Sequence, residues 1–455
     1  CIQGLGFVGS AMAIAVAMAM NNKKQPRFNV IGVDLPNEAG EHRVNSINSG
    51  NFPFITSDKD LISSLKQVHN QGNLTATTDT IIYSKADIIV VDIQLDIHYL
   101  DKQPQLEFDG FKSAIKSIGR RVKPGTLILI ETTVPPGTCD KIVAPTLHNE
   151  LIKRKIDPNS VYIAHSYERV MPGENYLSSI VDYWRVFAGY NEESADICEE
   201  FLSMVVNVKE FPLTRLSSML ASETAKVMEN TYRATNIAFI DEWTKYAESV
   251  GIDLFEVINA IIKRPTHSNM RFPGLGVGGY CLTKDPTFAP AAAEQLFGKE
   301  LDFPFSRMTV KVNNNMPLHV VERLKSLMSG SFKNKKILVC GISYRQNVGD
   351  TRYSPSEILV RKLIAYGADI VCHDPYLIYW EELDIKMPKE LPSVENFDAI
   401  VVAVPHKQYR DLDLSQWAIG CPVVLDANWV FSDEQRELAR NKGIKIESIG
   451  RGNGL

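Results

Sequence analysis

The sequence predicts an α/β protein in which two Rossmann-like, doubly wound parallel sheets are joined by a central all-helical region with a long spine helix. Three observations carry this. Near-continuous apolar runs of strand length alternate with helical stretches in the first and last parts of the chain, as expected of strands buried on both faces. A proline-free helical run from Ser217 to Ile262 lies between them. A glycine-rich turn opens the first set. The 455 residues suffice for two or three domains, and we expect them at 1–210, 211–331 and 332–455.

The first domain opens with Gly4-Leu-Gly6-Phe7-Val8-Gly9, which fits G-x-G-x-x-G, and the apolar helix Ser10–Met20 follows. Phe28 to Asp34 reads as a second strand ending in an acid. Gly4 permits the tight turn, Gly6 lets the backbone approach a pyrophosphate, and Gly9 lets helix and strand pack closely; Asp34 is placed for the adenosine ribose. An acid there repels a 2′-phosphate and favours NAD over NADP. Further strands are expected at 86–93, 126–130 and 161–164. Ligands of such sheets sit at the C-terminal strand ends, where Thr77-Thr78-Asp79, Glu131–Thr138 and His165–Gly173 lie. Thr132 and Thr133 suit either a helix cap or hydroxyls turned to substrate or water. Glu168 beside Arg169 suits a surface ion pair or a site acid.

In the middle, Gly251 should divide the helical run in two. The first helix would span ~45–50 Å at ~1.5 Å per residue, long enough for a spine between domains or a dimer interface. Lys226 and Asn230 stand one turn apart on one face, among Ala225, Val227 and Met228. They suit either a solvated polar face or a pair of donors for a developing oxyanion. Arg271 is an anion-binding candidate, and His267 reads as a polar loop residue. The loop Phe272-Pro-Gly-Leu-Gly276-Val-Gly278-Gly-Tyr-Cys281-Leu-Thr-Lys284-Asp285 presents one thiol on a backbone rich in glycine, able to approach a ligand closely. Residues 305–331 read as a helical connector broken near Asn313–Pro317.

The last domain has four strand-like runs, at 335–342, 368–375, 397–405 and 421–427, alternating with helices. Its first turn, Gly341-Ile-Ser-Tyr-Arg345, has one glycine only. It therefore binds a nucleotide differently, or does not bind NAD. Arg345 and Arg352 follow the first strand, where an anionic ligand would lie.

Hydrophobic content of 44%, charged content of 23% and a net charge of −5 are ordinary for a globular protein and suggest neither nucleic acid nor an anionic membrane as partner. The seven cysteines are scattered, with no CxxC pair, so neither a metal (zinc) site nor a disulfide framework is indicated. A reducing, cytoplasmic setting fits. No apolar run reaches the ~18–20 residues needed to span a bilayer. Only Cys1-Ile2-Gln3 precede the first glycine turn, whereas a buried strand takes ~5 residues; we expect native residues ahead of Cys1.

Taken together, Gly4–Gly9, Glu131-Thr-Thr-Val-Pro-Pro-Gly137, Tyr167-Glu-Arg-Val-Met-Pro-Gly173, Lys226-x-x-x-Asn230, Pro273-Gly-x-Gly-x-Gly-Gly-x-Cys281-x-x-x-Asp285 and Gly341–Pro355 resemble the UDP-glucose/GDP-mannose dehydrogenase family of nucleotide-sugar 6-dehydrogenases. The resemblance runs essentially end to end. It implies an NAD domain and a sugar-nucleotide domain flanking a helical domain that dimerises, as a homodimer or higher homo-oligomer. It also implies oxidation of a UDP-sugar C6 alcohol to the uronate with two NAD. Cys281 would be the nucleophile, with Lys226 and Asn230 stabilising the C6 oxyanions. Asp285 would position water or Lys226. Glu168 would be the general base of thioester hydrolysis and Thr133 would hold that water. Phe7, Val8, Thr78, Thr133 and Lys284 would join the glycines and Asp34 on the cofactor side. Glu168, Arg169, Phe272, Gly276, Gly278, Arg345 and Arg352 would line the substrate, and Arg271 would reach the nucleotide of a neighbouring subunit. Tyr167 replaces the family's frequent proline, and Tyr344-Arg345 its Phe/Tyr-Lys.

The motifs at 131–137 and 169–173 look closer to the UDP-N-acetylhexosamine branch, whereas Cys281–Asp285 looks closer to UDP-glucose. GDP-mannose is a further alternative. A two-electron hydroxyacid dehydrogenase would need neither Cys281 nor a third domain. A non-catalytic sugar-nucleotide sensor would not need the full set of reacting side chains.

Overall fold

The first apolar runs form strands where they are expected, β1 (Ile2–Gln3), β2 (Val30–Val33), β4 (Ile88–Val91), β5 (Leu127–Ile130) and β6 (Tyr162–His165), and β3 (Leu74–Thr77) adds a strand that was not read from the sequence. Two more, β7 (Val186–Gly189) and β8 (Thr214–Arg215), complete an eight-stranded sheet of order β8-β7-β6-β5-β4-β1-β2-β3. Every residue of β5 is buried, as a central strand requires. The computed structural model describes residues 1–100 and 103–452.

One pairing departs from the all-parallel expectation. β7 runs antiparallel to β6. Between them lies only the short helix Ser178–Val181, not the full crossover helix that returns a chain for parallel pairing. An antiparallel strand near the edge of a parallel sheet is a common outcome. The helix α1 (Phe7–Met18) is buried from Gly9 to Ala17. The helix α2 (Glu38–Asn48) is capped by Asn37, whose side chain accepts from Gly40 N, satisfying one of the free N–H groups of its first turn.

The spine helix α3 (Met219–Val250) has 32 residues, or ~48 Å. It ends at Gly251, whose φ of 80° costs glycine little. Next comes α4 (Leu254–Ile261), capped by Asp253. The break expected near Asn313–Pro317 is absent: α5 (Pro304–Leu327) runs straight through Pro317. Proline removes one helical N–H, but tertiary contacts offset that loss. Met316 and Pro317 are buried, and Asn313 Nδ2 donates to the Ala234 carbonyl at 3.1 Å.

The last sheet is wholly parallel, of order β10-β9-β11-β12-β13, with β9 (Lys336–Cys340), β10 (Asp369–His373), β11 (Ala399–Val402), β12 (Val424–Asp426) and β13 (Ile446–Ser448). The fifth strand lies beyond the four read from the sequence. By contacts the chain forms two units: Cys1–Glu229 with Thr287–Asp302, and Asn230–Pro286 with Phe303 onward. The helix α3 spans that boundary.

Candidate active site

The glycine turn of the first unit shows why each glycine is there. Gly4 has φ +91°, and a Cβ on it would lie 2.4 Å from the Asp92 carbonyl oxygen. A Cβ on Gly9 would lie 1.9 Å from the Gly4 oxygen. These two are dictated by the fold. A Cβ on Gly6 would meet nothing within 4 Å. Gly6 is also the N-cap of α1, with no side chain capping the helix. Its open space and the helix N–H groups fit a pyrophosphate. Phe7 and Val8 follow in the first turn of α1. Asp34 accepts from Leu5 N at 3.1 Å and from Arg43 at 2.7 and 3.0 Å, so the acid is already oriented. Thr78 and Thr133 lie half-buried just past the ends of β3 and β5. Neither Thr132 nor Thr133 caps a helix; Thr138 holds the N-cap position of the next helical segment, without a side-chain capping bond.

Glu168 does not form a surface ion pair with Arg169. Its residue is buried, and its carboxylate accepts from Val170 N. Lys226 Nζ donates to the Glu168 carbonyl at 3.0 Å and stands 3.9 Å from its Oε1. Arg169 instead pairs with Glu229 at 3.2 Å and lies 3.4 Å from the Tyr167 hydroxyl. Lys226 is thus a buried cation on α3, not part of a solvated face.

Two features of this unit escaped the sequence reading. Glu223, one turn before Lys226, accepts from Gly137 N at 2.5 Å and Cys139 N at 2.7 Å. It holds the turn that follows Thr133. Burial pushes its carboxyl up to about 7, against the pull of these donors. Asp92 and Glu131, past the ends of β4 and β5, form a buried acid pair, with Arg185 donating to Glu131. Burial, then the neighbouring carboxylate, holds Asp92 well above the usual range. Only contacts between residues far apart in the chain reveal these groups: Arg185 lies 54 residues from Glu131, and Cys139 and Gly137 lie 84 and 86 from Glu223.

In the second unit, Cys281 is exposed; elsewhere in the chain Cys1 is half-buried, and the other five cysteines are buried. Burial raises the thiols of Cys139, Cys198, Cys340, Cys372 and Cys421, which suits inert core residues. The Cys281 carbonyl accepts from Lys284 N at 3.2 Å and Asp285 N at 2.9 Å. Asp285 is buried; it accepts from Asn230 Nδ2 at 2.7 Å and pairs with Lys284 at 3.1 Å. Lys284 also lies 4.1 Å over the Tyr280 ring. The loop glycines face close neighbours. A Cβ on Gly276 would lie 2.8 Å from Pro355 and 3.3 Å from Pro317, and one on Gly278 would lie 2.7 Å from Pro355. Phe272 packs with Phe255 and Trp429, ring centroids 5.7 Å away in each case. Arg271 is half-buried, and burial together with Arg233 lowers its affinity for a proton. Arg345 is half-buried on the turn after β9. Arg352 forks onto Asp350, with contacts of 2.7 to 3.2 Å.

An accessible thiol is more than a two-electron dehydrogenase needs. A dinucleotide-dependent oxidoreductase with an exposed thiol is the class these features define. Matches to family models narrow it: the NAD binding domain of the UDP-glucose/GDP-mannose dehydrogenase family at residues 1–205, its central domain at 221–315 and its UDP binding domain at 338–433. The chain belongs to this family, and it is an NAD-dependent nucleotide-sugar dehydrogenase. It is 33% identical to a UDP-N-acetyl-D-mannosamine dehydrogenase of Methanocaldococcus jannaschii over 99% of this chain and 96% of that one. It is 26% identical to an NDP-N-acetyl-D-galactosaminuronic acid dehydrogenase of Ralstonia solanacearum, over 95% and 96% of the two chains. The solved structure of a UDP-D-ManNAc dehydrogenase from Pyrococcus horikoshii matches with a TM-score of 0.82 at 25% identity, covering 99% of each chain.

Proposed function

We propose that the chain oxidises C6 of a UDP-N-acetylhexosamine to the carboxylate, and that UDP-N-acetyl-D-mannosamine is the substrate. The relative 33% identical over 99% of the chain carries that name, and Cys281 is exposed where five other cysteines are buried. NAD, when bound at the Gly6 turn, supplies the hydride acceptor for both oxidations. After the first, Cys281 Sγ adds to the C6 aldehyde carbon and forms a C–S bond. Lys226 and Asn230, one turn apart on α3, stabilise the oxyanion. Loss of the second hydride leaves a thioester. Glu168 takes a proton from water, which adds to the carbonyl carbon as the C–S bond breaks and Cys281 leaves as thiolate. Thr133 orients that water, within the turn fixed by Glu223. Asp285 holds the Asn230 amide in place. The balance is one alcohol, two NAD and one water giving one carboxylate, two NADH and three protons.

Gly4, Gly6, Phe7, Val8, Gly9, Asp34, Thr78 and Lys284 serve the cofactor in this reading. Arg169, Arg271, Phe272, Gly276, Gly278, Arg345 and Arg352 serve the sugar nucleotide. The assigned parts are an NAD domain at 1–210, a helical dimerisation domain at 211–331 and a sugar-nucleotide domain at 332–455. A homodimer is supported by an exposed stripe along α3 of Tyr232, Phe239, Trp243, Tyr246 and Val250, spaced at helical intervals and larger than scattered surface apolar residues. A cytoplasmic setting suits seven scattered cysteines with no CxxC pair. The test is NADH release with UDP-N-acetylmannosamine, UDP-N-acetylglucosamine, UDP-N-acetylgalactosamine, UDP-glucose and GDP-mannose. The first should give the highest kcat/KM; a clear preference for UDP-glucose or GDP-mannose would overturn the assignment.

A further inference from the structure

The turn after β9 is pinned by a buried pair, Asp374 and His406. Asp374, just past the end of β10, is fully enclosed together with His406. Its Oδ2 accepts from Ile342 N at 3.0 Å, Ser343 N at 3.1 Å, Ser343 Oγ at 3.0 Å and His406 Nε2 at 3.1 Å. Its Oδ1 accepts from Tyr376 N at 3.0 Å. The other ring nitrogen, His406 Nδ1, lies 2.9 Å from Asn347 N. A backbone N–H can only donate, so Nδ1 accepts, and the ring proton sits on Nε2 facing Asp374. Asn347 has φ +57°, and its Oδ1 accepts from Lys407 N at 2.9 Å. The turn is therefore fixed at Ile342 and Ser343 on one side and at Asn347 on the other. Between them stand Tyr344 and Arg345. Tyr344 N is also tied to the Asp350 carbonyl at 2.8 Å.

Tyr344 in turn touches the cysteine loop. A Cβ on Gly279 would lie 2.7 Å from the Tyr344 ring, and one on Gly278 would lie 2.8 Å from the Tyr344 Cβ. Only glycine lets the loop lie against this residue. We propose that Asp374 and His406 are positioning residues: they hold the turn 341–347 in the conformation that presents Arg345 to the diphosphate of the sugar nucleotide, and through Tyr344 they brace the loop bearing Cys281. Neither residue touches substrate. This inference rests on the reading of this unit as the sugar-nucleotide half.

Substitutions at His406 separate positioning from bulk polarity. A glutamine can span both partners, its NH2 donating to Asp374 and its carbonyl accepting from Asn347 N. Asparagine, one carbon shorter, cannot reach both. UDP binding to the full chain is measured by calorimetry, with NAD titrated as control and the thermal midpoint recorded. His406→Asn should weaken UDP about tenfold, the equivalent of one or two buried hydrogen bonds. KM for the nucleotide sugar should rise with it while NAD affinity stays unchanged. His406→Gln should lie within about threefold of wild type for UDP, given that both bonds are retained. Ser343→Ala, which removes one donor to Asp374 and nothing else, should give a smaller loss of the same kind and serves if the His406 variants do not fold. Wild-type UDP affinity in both His406→Asn and Ser343→Ala would overturn the proposal, as would equal losses of UDP and NAD affinity. Failure of the wild type to bind UDP would instead overturn the functional reading, and this inference with it.

Discussion

The two parallel sheets repeat one device and put it to different uses. In each, a glycine in the left-handed region follows the first strand: Gly4 at φ +91° and Gly341 at φ +96°. In each, the next residue donates its N–H to the acid that ends the neighbouring strand, Leu5 to Asp34 at 3.1 Å and Ile342 to Asp374 at 3.0 Å. The difference begins one residue on. The first turn has Gly6, whose missing side chain leaves open space; the second has Ser343, whose hydroxyl turns back onto Asp374 at 3.0 Å. Asp34 pairs with the half-buried Arg43, whereas Asp374 is sealed in with His406. A turn that leaves space can receive a pyrophosphate. A turn that fills it with its own hydrogen bonds becomes a rigid support for the side chains it carries.

The strongest way to break this comparison is to exchange the residues at its point of divergence. Gly6→Val should weaken NAD binding about a hundredfold, because a branched side chain fills the approach that close backbone contact requires. Ser343→Gly should leave NAD affinity unchanged. Loss of NAD binding in the second variant, or retention in the first, would show by cofactor fluorescence titration that the two turns do not differ in this way. A smaller effect is expected at Asp34. Its replacement by alanine should cost about tenfold in NAD affinity, the scale of hydrogen bonds to a charged group. It should also narrow the gap between NAD and NADP, since Arg43 would remain with no acid beside it. An unchanged NAD/NADP ratio would sink that assignment.

The smallest effect concerns how buried acids hold turns. Burial alone would push Asp374 up, but His406 and the backbone donors hold its carboxyl below the usual range. Glu223 holds its turn with backbone N–H groups, and burial raises it from 4.5 to about 7. A raised native value stabilises the protonated form. That contribution is complete below pH 4.5 and is lost as pH rises through about 7. The thermal midpoint should therefore fall by a few degrees across this window, and the fall should flatten in Glu223→Gln. An equal slope in both proteins, measured by scanning calorimetry, would rule Glu223 out as its source.

Much of this was legible in the sequence, and the reason is local. Gly4, Gly6 and Gly9 announce their turn because backbone sterics act over a few residues. Lys226 and Asn230 announce a shared face because a helix repeats every turn. The run at 368–375 was visible as a strand, but the partners of its acid Asp374 were not: Ser343 lies 31 residues away and His406 lies 32. Glu223 carries no sequence signal, because its role rests on two backbone donors, Gly137 N and Cys139 N, far away in the chain. Pro317 was read as a break because the rule for proline in a helix ignores what the far side of the ring packs against. The antiparallel β7 likewise depends on the path of the chain between strands rather than on the strand's own composition.

Cys281 is the residue on which the proposed four-electron oxidation depends. The most direct test of that dependence is the number of NADH formed per UDP-N-acetyl-D-mannosamine consumed, counted by absorbance against product identified by mass spectrometry, for wild type and Cys281→Ser. The wild type should give two NADH and one uronate per sugar, and the variant should bind NAD normally while forming acid at least about a thousandfold more slowly, as expected when a covalent nucleophile is lost. One NADH per sugar in the wild type, or undiminished acid production by Cys281→Ser, would contradict it.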